Sequence, residues 1–104
     1  MLSVIIPAYN EELSIERAYY TITKILSEAK IDNEIIFIDD GSTDTTYEKI
    51  KNLVDKEKNI YGLHFSRNFG KEAAISAGLA SAAGDAVVVI DCDLQHPPEK
   101  IVEM

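Results

Sequence analysis

Apolar and polar positions alternate along the chain in blocks that predict strands and helices in turn. Four short runs rich in β-branched residues each have the length of a single strand. These runs cover residues 2–8, 34–39, 60–66 and 85–91. Because they are almost continuously apolar, they are typical of strands that are covered on both faces of a sheet.

Three segments between these runs have helical spacing instead. In the first segment, apolar residues recur at three- and four-residue steps, which predicts one buried helix face: Ile15, Ala18, Ile22, Ile25 and Ala29. The second segment repeats the pattern more briefly, at Tyr47, Ile50 and Val54. The third segment, residues 71–83, has a face of small residues, and we expect the glycine that follows it, Gly84, to be its C-cap.

The order of these elements predicts an α/β fold. Strands that alternate with helices form a mainly parallel sheet, and right-handed crossovers place helices on both of its faces. In such a sheet the carboxyl ends of all strands lie at one edge, and ligands bind in the crevice outside that edge. The residues that follow each strand are therefore the first place to look for a site.

Composition narrows the class of protein further. The 104 residues suffice for one domain, and 46% apolar with 27% charged residues is the composition of a folded globular chain. A formal net charge of -8 argues against a nucleic-acid-binding surface, which needs clustered Lys and Arg. No apolar run approaches the ~18 residues of a membrane span.

Cysteine content bears on both location and chemistry. Cys92 is the only cysteine, which excludes an internal disulfide and a cysteine-rich zinc site and fits a cytoplasmic protein. The thiol stands between two carboxylates in the sequence, so we expect its pKa to be raised and expect no nucleophilic role for it.

Every predicted strand is followed by polar residues, and three of the four exits have a carboxylate at the turn. The exits are, in chain order, "AYNEE", "DDGSTD", "SRNFGKE" and "DCDLQHPP". So many carboxylates near one edge repel one another unless a cation or a donor-rich ligand lies among them. The carboxyl edge is thus predicted to bind such a ligand.

Asp91 and Asp93 stand one residue apart at the end of the fourth strand. On an extended backbone they point the same way, and Gln95 continues the alternation. Three oxygen ligands on one side suit Mg²⁺ or Mn²⁺, with substrate phosphates and water completing the coordination. The alternative is structural: Asp91 ends the strand and Asp93 caps a helix that begins near Pro97. The motif alone leaves both interpretations open.

Asp39 and Asp40 follow the second strand as adjacent carboxylates. In dinucleotide-binding folds an acidic residue at this place accepts hydrogen bonds from the ribose, and a base N–H is a further candidate donor. The rest of the exit has a structural explanation, because Gly41 permits a turn and Thr45 and Glu48 have capping-box spacing. The glycine-rich phosphate motif is absent after the first strand, which argues against a nicotinamide cofactor.

Two basic residues, Arg67 and Lys71, lie at the predicted edge near the start of the third helix. Each is a candidate to neutralise a phosphate, and each has a structural alternative as a solvated helix-end residue, which is favoured for Lys71. Tyr9 is a candidate to stack on a base or to fill its own turn. We expect His64 to pack or hydrogen-bond along its strand, whereas the role of His96 stays open.

Four separated pieces of the chain match one known family in the right order. They are "VIIPAYNEE", "IIFIDDGSTD", "FSRNFGKEAAISAGL" and "GDAVVVIDCDLQHPPE". Together they resemble family 2 glycosyltransferases of the nucleotide-diphospho-sugar transferase (glycosyltransferase A) fold. The last two pieces are most similar to the polyprenyl-phosphate branch, which includes dolichyl-phosphate and undecaprenyl-phosphate sugar transferases. The resemblance covers essentially the whole chain.

The resemblance implies a role for each matching residue. It places the nucleoside between residues of the first and second exits, with Asp40 on the base: Pro7, Ala8, Tyr9, Glu11 and Asp40. It implies that Asp91 lies near the ribose and the metal, that Asp93 is the principal metal ligand and that Gln95 supports it, which makes Asp91 and Asp93 the catalytic pair. Arg67 is the candidate for the diphosphate.

The implied reaction is transfer of a sugar from a nucleotide diphosphate, with inversion, to an acceptor that in this branch is a polyprenyl phosphate. Mg²⁺ or Mn²⁺ is the implied cofactor, and its task is to stabilise the diphosphate leaving group. A lipid phosphate is already ionised near neutral pH, so no general base is required to deprotonate it.

Chain length qualifies this expectation. Members of the family have a second half that supplies the acceptor site, and many in this branch continue into membrane helices. We therefore expect residues 1–104 to be the nucleotide-sugar-binding half of a truncated catalytic domain, active weakly or not at all by itself. Any membrane contact, at the cytoplasmic face, is expected only through the missing regions.

Two other functions fit parts of the pattern. A nucleotide-binding module without catalysis uses the same edge and the same residues. A phosphatase with a DxD nucleophile also places an apolar strand before two aspartates, but there the motif follows the first strand, whereas here it follows the fourth. Trapping a phosphorylated Asp91 is the observation that would favour the phosphatase.

Overall fold

The computed structural model describes residues 1–93, and the elements alternate as the sequence predicts. Their bounds are β1 Leu2–Ala8, α1 Ile15–Glu28, β2 Asn33–Asp39, α2 Thr46–Lys56, β3 Ile60–His64, α3 Lys71–Ser81 and β4 Ala86–Val89. The third and fourth strands are shorter than predicted. The predicted helix start near Pro97, together with Gln95 and His96, lies outside the described residues.

All four strands are parallel, in the order β3-β2-β1-β4. The central pair, β1 and β2, is in register over seven residues, from Leu2 opposite Asn33 to Ala8 opposite Asp39. The carboxyl ends of β1 and β2 are therefore level with each other, and the loops that leave them start side by side. The prediction of a parallel sheet is confirmed.

Helices cover both faces of the sheet, as predicted. Successive residues of a strand point to opposite faces, so each strand contributes to two apolar clusters. Val4, Ile6 and Phe37 pack under α1 and α2 in the larger cluster, which also contains Ile22 and Ile50. The smaller cluster, under α3, contains Ile5, Ile36, Ile38 and Ala74.

Helix α3 lies close to the sheet because its inner face is made of small residues. A Cβ added at Gly78 would lie 2.6 Å from Cγ2 of Ile5 and 2.9 Å from Cδ1 of Ile38. The small-residue face predicted from the sequence thus has a packing role, since it brings the helix axis close enough to cover β1 and β2.

The predicted C-cap of α3 is wrong. The helix ends at Ser81, and Ala82 already has an extended backbone, with φ -69° and ψ 133°. Gly84 instead lies against the amino end of β1, where an added Cβ would be 2.6 Å from the carbonyl oxygen of Met1. Glycine is required there by close approach of two backbones and not by helix termination.

A buried acidic residue organises the amino edge of the sheet. Glu34, which is 6% exposed, accepts hydrogen bonds at Oε2 from Ser3 Oγ at 2.5 Å and from the Ala83 N–H at 2.7 Å. Ser3 Oγ in turn accepts the Gly84 N–H at 2.9 Å. The first residues of β1 and β2 thereby hold the segment that leads from α3 to β4.

No helix among residues 1–93 is long and apolar enough to cross a bilayer.

Candidate active site

A cavity of about 250 Å³ lies at the carboxyl edge of the sheet. Its walls come from the exits of β1, β2 and β4 and from the start of α3: Pro7, Ala8, Tyr9, Glu11, Asp40, Lys71, Asp91, Cys92 and Asp93. The parallel topology brings these distant segments together, because the carboxyl ends of β1, β2 and β4 lie at the same edge of the sheet and α3 begins there. The cavity is where a ligand is expected in an open parallel sheet.

Hydrogen bonds tie the loop after β1 to the loop after β2. Asn10, whose φ of +52° is in the left-handed region, donates its N–H to Ser42 Oγ at 2.9 Å. Its Oδ1 accepts the Thr43 N–H at 2.8 Å. One residue later, the Glu11 N–H donates to Thr46 Oγ1 at 2.8 Å. These bonds set the path of the segment that presents Tyr9 and Glu11 to the cavity.

Two carboxylates extend this connection to the start of α2. Glu12 accepts hydrogen bonds from the N–H of Thr45, at 3.2 Å, and from its hydroxyl. Asp44 accepts the Thr46 N–H at 2.9 Å, the Thr46 hydroxyl and the Glu12 N–H at 3.5 Å. The predicted capping box does not form, because Thr45 makes no side-chain capping bond to the helix and is bonded to Glu12 instead.

Hydrogen bonding also sets the ionisation of Asp44. Burial raises the pKa of this carboxyl, but the hydrogen bonds from the Thr46 hydroxyl and from backbone N–H groups outweigh it, and the pKa is lowered from 3.8. Asp44 therefore acts as an anionic anchor between the two loops.

The adjacent carboxylates of Asp39 and Asp40 have different surroundings. Asp39 is fully buried: its Oδ2 lies 2.6 Å from His64 Nδ1, and its Oδ1 accepts the Ser42 N–H at 3.1 Å. The His64 ring stacks on Tyr47, with centroids 4.1 Å apart. His64 hydrogen-bonds across to the neighbouring strand, as expected, and Asp39 holds the turn in place without lining the cavity.

Asp40 faces the cavity and is 4% exposed. Its Oδ1 accepts the Phe69 N–H at 2.8 Å, and its Oδ2 accepts the Gly70 N–H at 3.1 Å and Asn68 Nδ2 at 3.2 Å. A carboxylate offers about four acceptor positions, so one remains on Oδ1. Asp40 thus anchors the loop before α3, a role that the sequence did not indicate.

A glycine permits this contact between loops. Gly41 has φ +71°, and a Cβ added there would lie 2.1 Å from the carbonyl carbon of Arg67. The second and third exits therefore touch through their backbones, and any side chain at Gly41 would push them apart.

Asp91 forms an ion pair with Lys71 in the cavity. Lys71 Nζ lies 2.5 Å from Asp91 Oδ1, and the Asp91 side chain is 27% exposed. Lys71 is an exposed residue at the start of α3, as the structural alternative expects, and its side chain also lines the cavity and pairs with a predicted ligand carboxylate. The signal available was its place at the first residue of a helix that starts at the carboxyl edge.

Arg67 lies at the same edge but is not among the described residues that line the cavity. Its side chain is exposed, and its guanidinium carbon lies 5.0 Å from the centroid of the Phe69 ring. Nothing in this placement brings it to Asp91 or Asp93. Its assignment to the nucleotide stays a prediction.

Asp93 lines the cavity beside Asp91, and its backbone carbonyl accepts a hydrogen bond from the Arg17 guanidinium at 3.2 Å. Within residues 1–93, no group of three or more Asp, Glu, His or Cys side chains is arranged to hold a metal by itself. Two cavity carboxylates nevertheless fit Mg²⁺ or Mn²⁺, which are commonly held by one or two carboxylates with phosphate and water. The third predicted ligand, Gln95, lies outside the described residues.

Cys92, between the two aspartates, is inert. Burial raises the pKa of this thiol to about 12, with further increases from Glu11 and Asp93, and Arg17 opposes them. The thiol is 3% exposed. The expectation of a raised pKa is confirmed, and Cys92 packs against the larger apolar cluster beneath the cavity.

Comparison with known proteins decides the family. Residues 3–104 match the family described as Glycosyl transferase family 2. The chain belongs to that family. The resemblance stated from the four sequence pieces is therefore confirmed.

Two curated relatives show how much of a family 2 protein the chain spans. It is 44% identical over 104 residues to "Uncharacterized glycosyltransferase YkcC" of Bacillus subtilis, covering 98% of this chain and 32% of that protein. It is 41% identical over 102 residues to "Undecaprenyl-phosphate 4-deoxy-4-formamido-L-arabinose transferase" of Aeromonas hydrophila, covering 97% and 31%. The chain spans about a third of the length of these relatives.

A solved glycosyltransferase has the same fold over this region. The mannosyltransferase PcManGT from Pyrobaculum calidifontis, in complex with GDP-Man and Mn²⁺, superimposes with a TM-score of 0.79 at 26% identity. The match covers 95% of this chain and 29% of that one. The glycosyltransferase fold expected from the sequence is confirmed.

Proposed function

We propose that this chain is the donor-binding part of a glycosyltransferase and that it binds a nucleotide diphosphate sugar, with a divalent metal, in the cavity at the carboxyl edge. The observation that supports this most directly is the convergence of three separated sequence pieces on one cavity. Pro7 to Glu11, Asp40 and the pair Asp91 and Asp93 line it together.

The nucleoside is proposed to lie against the exit of β1. Tyr9 is 46% exposed and borders the cavity, so its ring is available for a base, and Pro7 and Ala8 provide backbone and apolar contacts. Asp40 keeps one acceptor position on Oδ1 for a base N–H, and Glu11 is proposed to accept from the nucleoside as well. Arg67 is proposed to reach the diphosphate only if its side chain leaves Phe69.

Asp91 and Asp93 are proposed to hold the metal, with Gln95 as a supporting ligand. The chemistry that Mg²⁺ or Mn²⁺ supplies when bound is neutralisation of charge on the departing diphosphate. The solved relative that contains GDP-Man and Mn²⁺ supports a divalent metal with this fold. The protein's own contribution is to place two carboxylates beside the cavity on a strand end that α3 and α1 hold.

The sugar is proposed to pass, with inversion, to a lipid phosphate. The relative named as an undecaprenyl-phosphate sugar transferase supports a polyprenyl phosphate acceptor for the whole protein. The cytoplasmic face of a membrane is the proposed place of transfer, because a polyprenyl chain is a lipid. An acceptor phosphate is already ionised, so the described residues need to orient the donor and to shield the reacting carbon from water. A cavity of about 250 Å³ is smaller than the ~300 Å³ of typical ligand sites, which supports a shared site that further chain completes.

Calorimetric titration of the chain with GDP and with UDP, each with and without Mn²⁺, tests the donor site. We expect binding that requires Mn²⁺ and falls by at least about tenfold in Asp93→Ala, because a carboxylate ligand to the metal is lost. Asp55→Ala, which removes an exposed carboxylate of α2, is the matched control and should leave binding unchanged. Binding without metal, or equal loss in both variants, would contradict the proposed site.

A nucleotide-binding module without catalysis remains the second candidate, because every described residue of the cavity serves binding alone equally well. Incubation with a radiolabelled sugar nucleotide and a polyprenyl phosphate separates the two. Residues 1–104 are expected to bind donor and transfer little, whereas a longer chain that contains the rest of the family 2 region should transfer sugar. Absence of transfer in that longer chain would favour the module.

A further inference from the structure

Lys71 is the single basic side chain among the described residues of the cavity, where it faces four carboxylates: Glu11, Asp40, Asp91 and Asp93. Its Nζ lies 2.5 Å from Oδ1 of Asp91, a residue proposed to bind the metal. The Lys71 side chain is 60% exposed and that of Asp91 is 27% exposed. A half-exposed ion pair of this kind contributes little to stability, at most about 1 kcal/mol.

The position of Lys71 is fixed by the fold. Lys71 is the first residue of α3, and the preceding residue, Gly70, has φ +103° and donates its N–H to Asp40 Oδ2. Asp40 also accepts the Phe69 N–H. The same carboxylate that borders the nucleoside side of the cavity therefore sets where α3 begins, and thus directs the lysine toward Asp91.

The pair conflicts with a bound metal. Mg²⁺ lies about 2.1 Å from a carboxylate oxygen, whereas the ammonium already lies 2.5 Å from that oxygen. An ammonium and a metal on the same carboxylate are like charges at short range and repel each other, so the two cations compete for Asp91. A metal on Asp91 would weaken the attraction of that carboxylate for the ammonium, and a diphosphate that arrives with the metal would bring a further anion into the cavity for Lys71 to bind.

We infer that Lys71 is a diphosphate-binding residue that takes the place of the metal on Asp91 while the cavity is empty. This inference rests on the proposed function. With a metal on Asp91, the ammonium would bind the phosphate oxygens, so that Lys71 has an anionic partner both in the empty and in the occupied cavity. No covalent or proton-transfer step is involved; the exchange is one of ion partners.

Binding of Mn²⁺ alone, followed by calorimetry, tests the first half of the inference. Lys71→Met should bind Mn²⁺ more tightly than the wild type, by about fivefold, because a competing cation worth up to about 1 kcal/mol has been removed. Lys51→Met, which removes an exposed lysine of α2, should bind as the wild type does. Equal or weaker Mn²⁺ binding by Lys71→Met would overturn the inference.

Binding of GDP and UDP at saturating Mn²⁺ tests the second half. Lys71→Met should lose at least about tenfold in affinity, since a charge-assisted hydrogen bond to phosphate is removed, and Lys71→Arg should recover most of the loss. Unchanged nucleotide affinity in Lys71→Met would overturn the inference. A variant that merely damages the fold would bind both Mn²⁺ and nucleotide more weakly. That result would also contradict the inference, which requires tighter Mn²⁺ binding together with weaker nucleotide binding.

The two proposals fail in different ways. If the wild type binds neither GDP nor UDP with Mn²⁺, the proposed function is wrong, and this is seen without any variant. If the wild type binds and Lys71→Met behaves as Lys51→Met does, the donor site stands and the role of Lys71 is wrong.

Discussion

At each edge of the sheet a carboxylate of β2, or of the residue that follows it, accepts a backbone N–H next to α3, but the surroundings of the two carboxylates differ. Glu34, near the start of β2, accepts the N–H of Ala83 just after the helix. Asp40, just past the end of β2, accepts the N–H of Gly70 just before it. Both carboxylates are almost fully buried. At the amino edge, Glu34 accepts a further hydrogen bond from the Ser3 hydroxyl. At the carboxyl edge, Asp40 borders the cavity.

The comparison shows that a buried carboxylate is not in itself a sign of function. Glu34 and Asp40 have similar exposure, their carboxylates accept two and three hydrogen bonds respectively, and both connect β2 to the segments that flank α3. Only Asp40 shares a cavity with further carboxylates and a cation. Both edges use a buried carboxylate to hold a segment next to α3. The carboxyl edge differs because several charged side chains line one cavity there.

The largest effect is expected from Gly41→Ala, which would separate the exits of β2 and β3. The new Cβ would lie 2.1 Å from a backbone carbon of Arg67 at a φ of +71°, so we expect a loss of about 3 kcal/mol or more in the free energy of unfolding. Gly70→Ala is the matched control, since its φ is +103° but nothing lies within 4 Å of an added Cβ.

Urea unfolding of both variants checks this prediction. Gly70→Ala should lose less, about 1–2 kcal/mol, because it has the strain of a positive φ without the collision. If Gly41→Ala were no less stable than Gly70→Ala, the close contact between the two loops would not exist in solution.

The next effect separates the two edges directly. Glu34→Ala should lose about 2 kcal/mol of stability, because the buried Ser3 hydroxyl loses its acceptor and the Ala83 N–H loses the hydrogen bond that holds it to β2. Nucleotide affinity should stay as in the wild type. Asp40→Ala should lose a similar amount of stability and also at least about tenfold in affinity for GDP or UDP, because Asp40 is proposed to accept a base N–H and fixes the start of α3, where Lys71 lies.

Chemical denaturation and calorimetry on the same two variants provide the measurement, with titrations made where both remain folded. Loss of nucleotide binding in Glu34→Ala under those conditions, or its retention in Asp40→Ala, would show that the edges do not differ in the way described.

The smallest effect concerns the pH dependence of the carboxyl edge. The pKa of Asp44 is lower in the folded chain than its ordinary value of 3.8, so its stabilising contribution is present above that value and is lost as the pH falls through the folded pKa. Asp44→Asn should therefore be less stable than the wild type at neutral pH, by less than about 1 kcal/mol. The difference should begin to shrink as the pH falls below 3.8 and should disappear below the folded pKa, in unfolding curves measured from neutral to acid pH.

The elements of the fold were predictable because they depend on local pattern. Continuous apolar runs and helical spacing are properties of neighbouring residues, and the parallel sheet follows from their alternation. The errors at Gly84 and at the Thr45 capping box have one cause. Each residue has a partner far along the chain, Met1 and Glu12 respectively, and that contact replaced the local interaction that the sequence favoured.

The site was predictable only in part. The sequence placed the right segments at one edge, and the family resemblance singled out Asp40, but the residues alone did not separate Asp39 from Asp40, although adjacent residues of a strand end point to opposite sides. The sequence also favoured Arg67 over Lys71 as the phosphate ligand, a choice that stays a prediction, although Lys71 is the one of the two that lines the cavity. That choice depends on the path of the loop before α3, where Arg67 lies over Phe69 and Gly70 turns the chain so that Lys71 meets Asp91.

The bonds between the first two exits have a thermodynamic consequence for any ligand. Because Asn10, Glu12 and Asp44 already join the loops, the entropy of ordering these segments is lost on folding and not on association. A ligand therefore meets a preorganised wall, which favours affinity. The heat-capacity change of association should then reflect the surface that the ligand itself covers, without a contribution from loop folding.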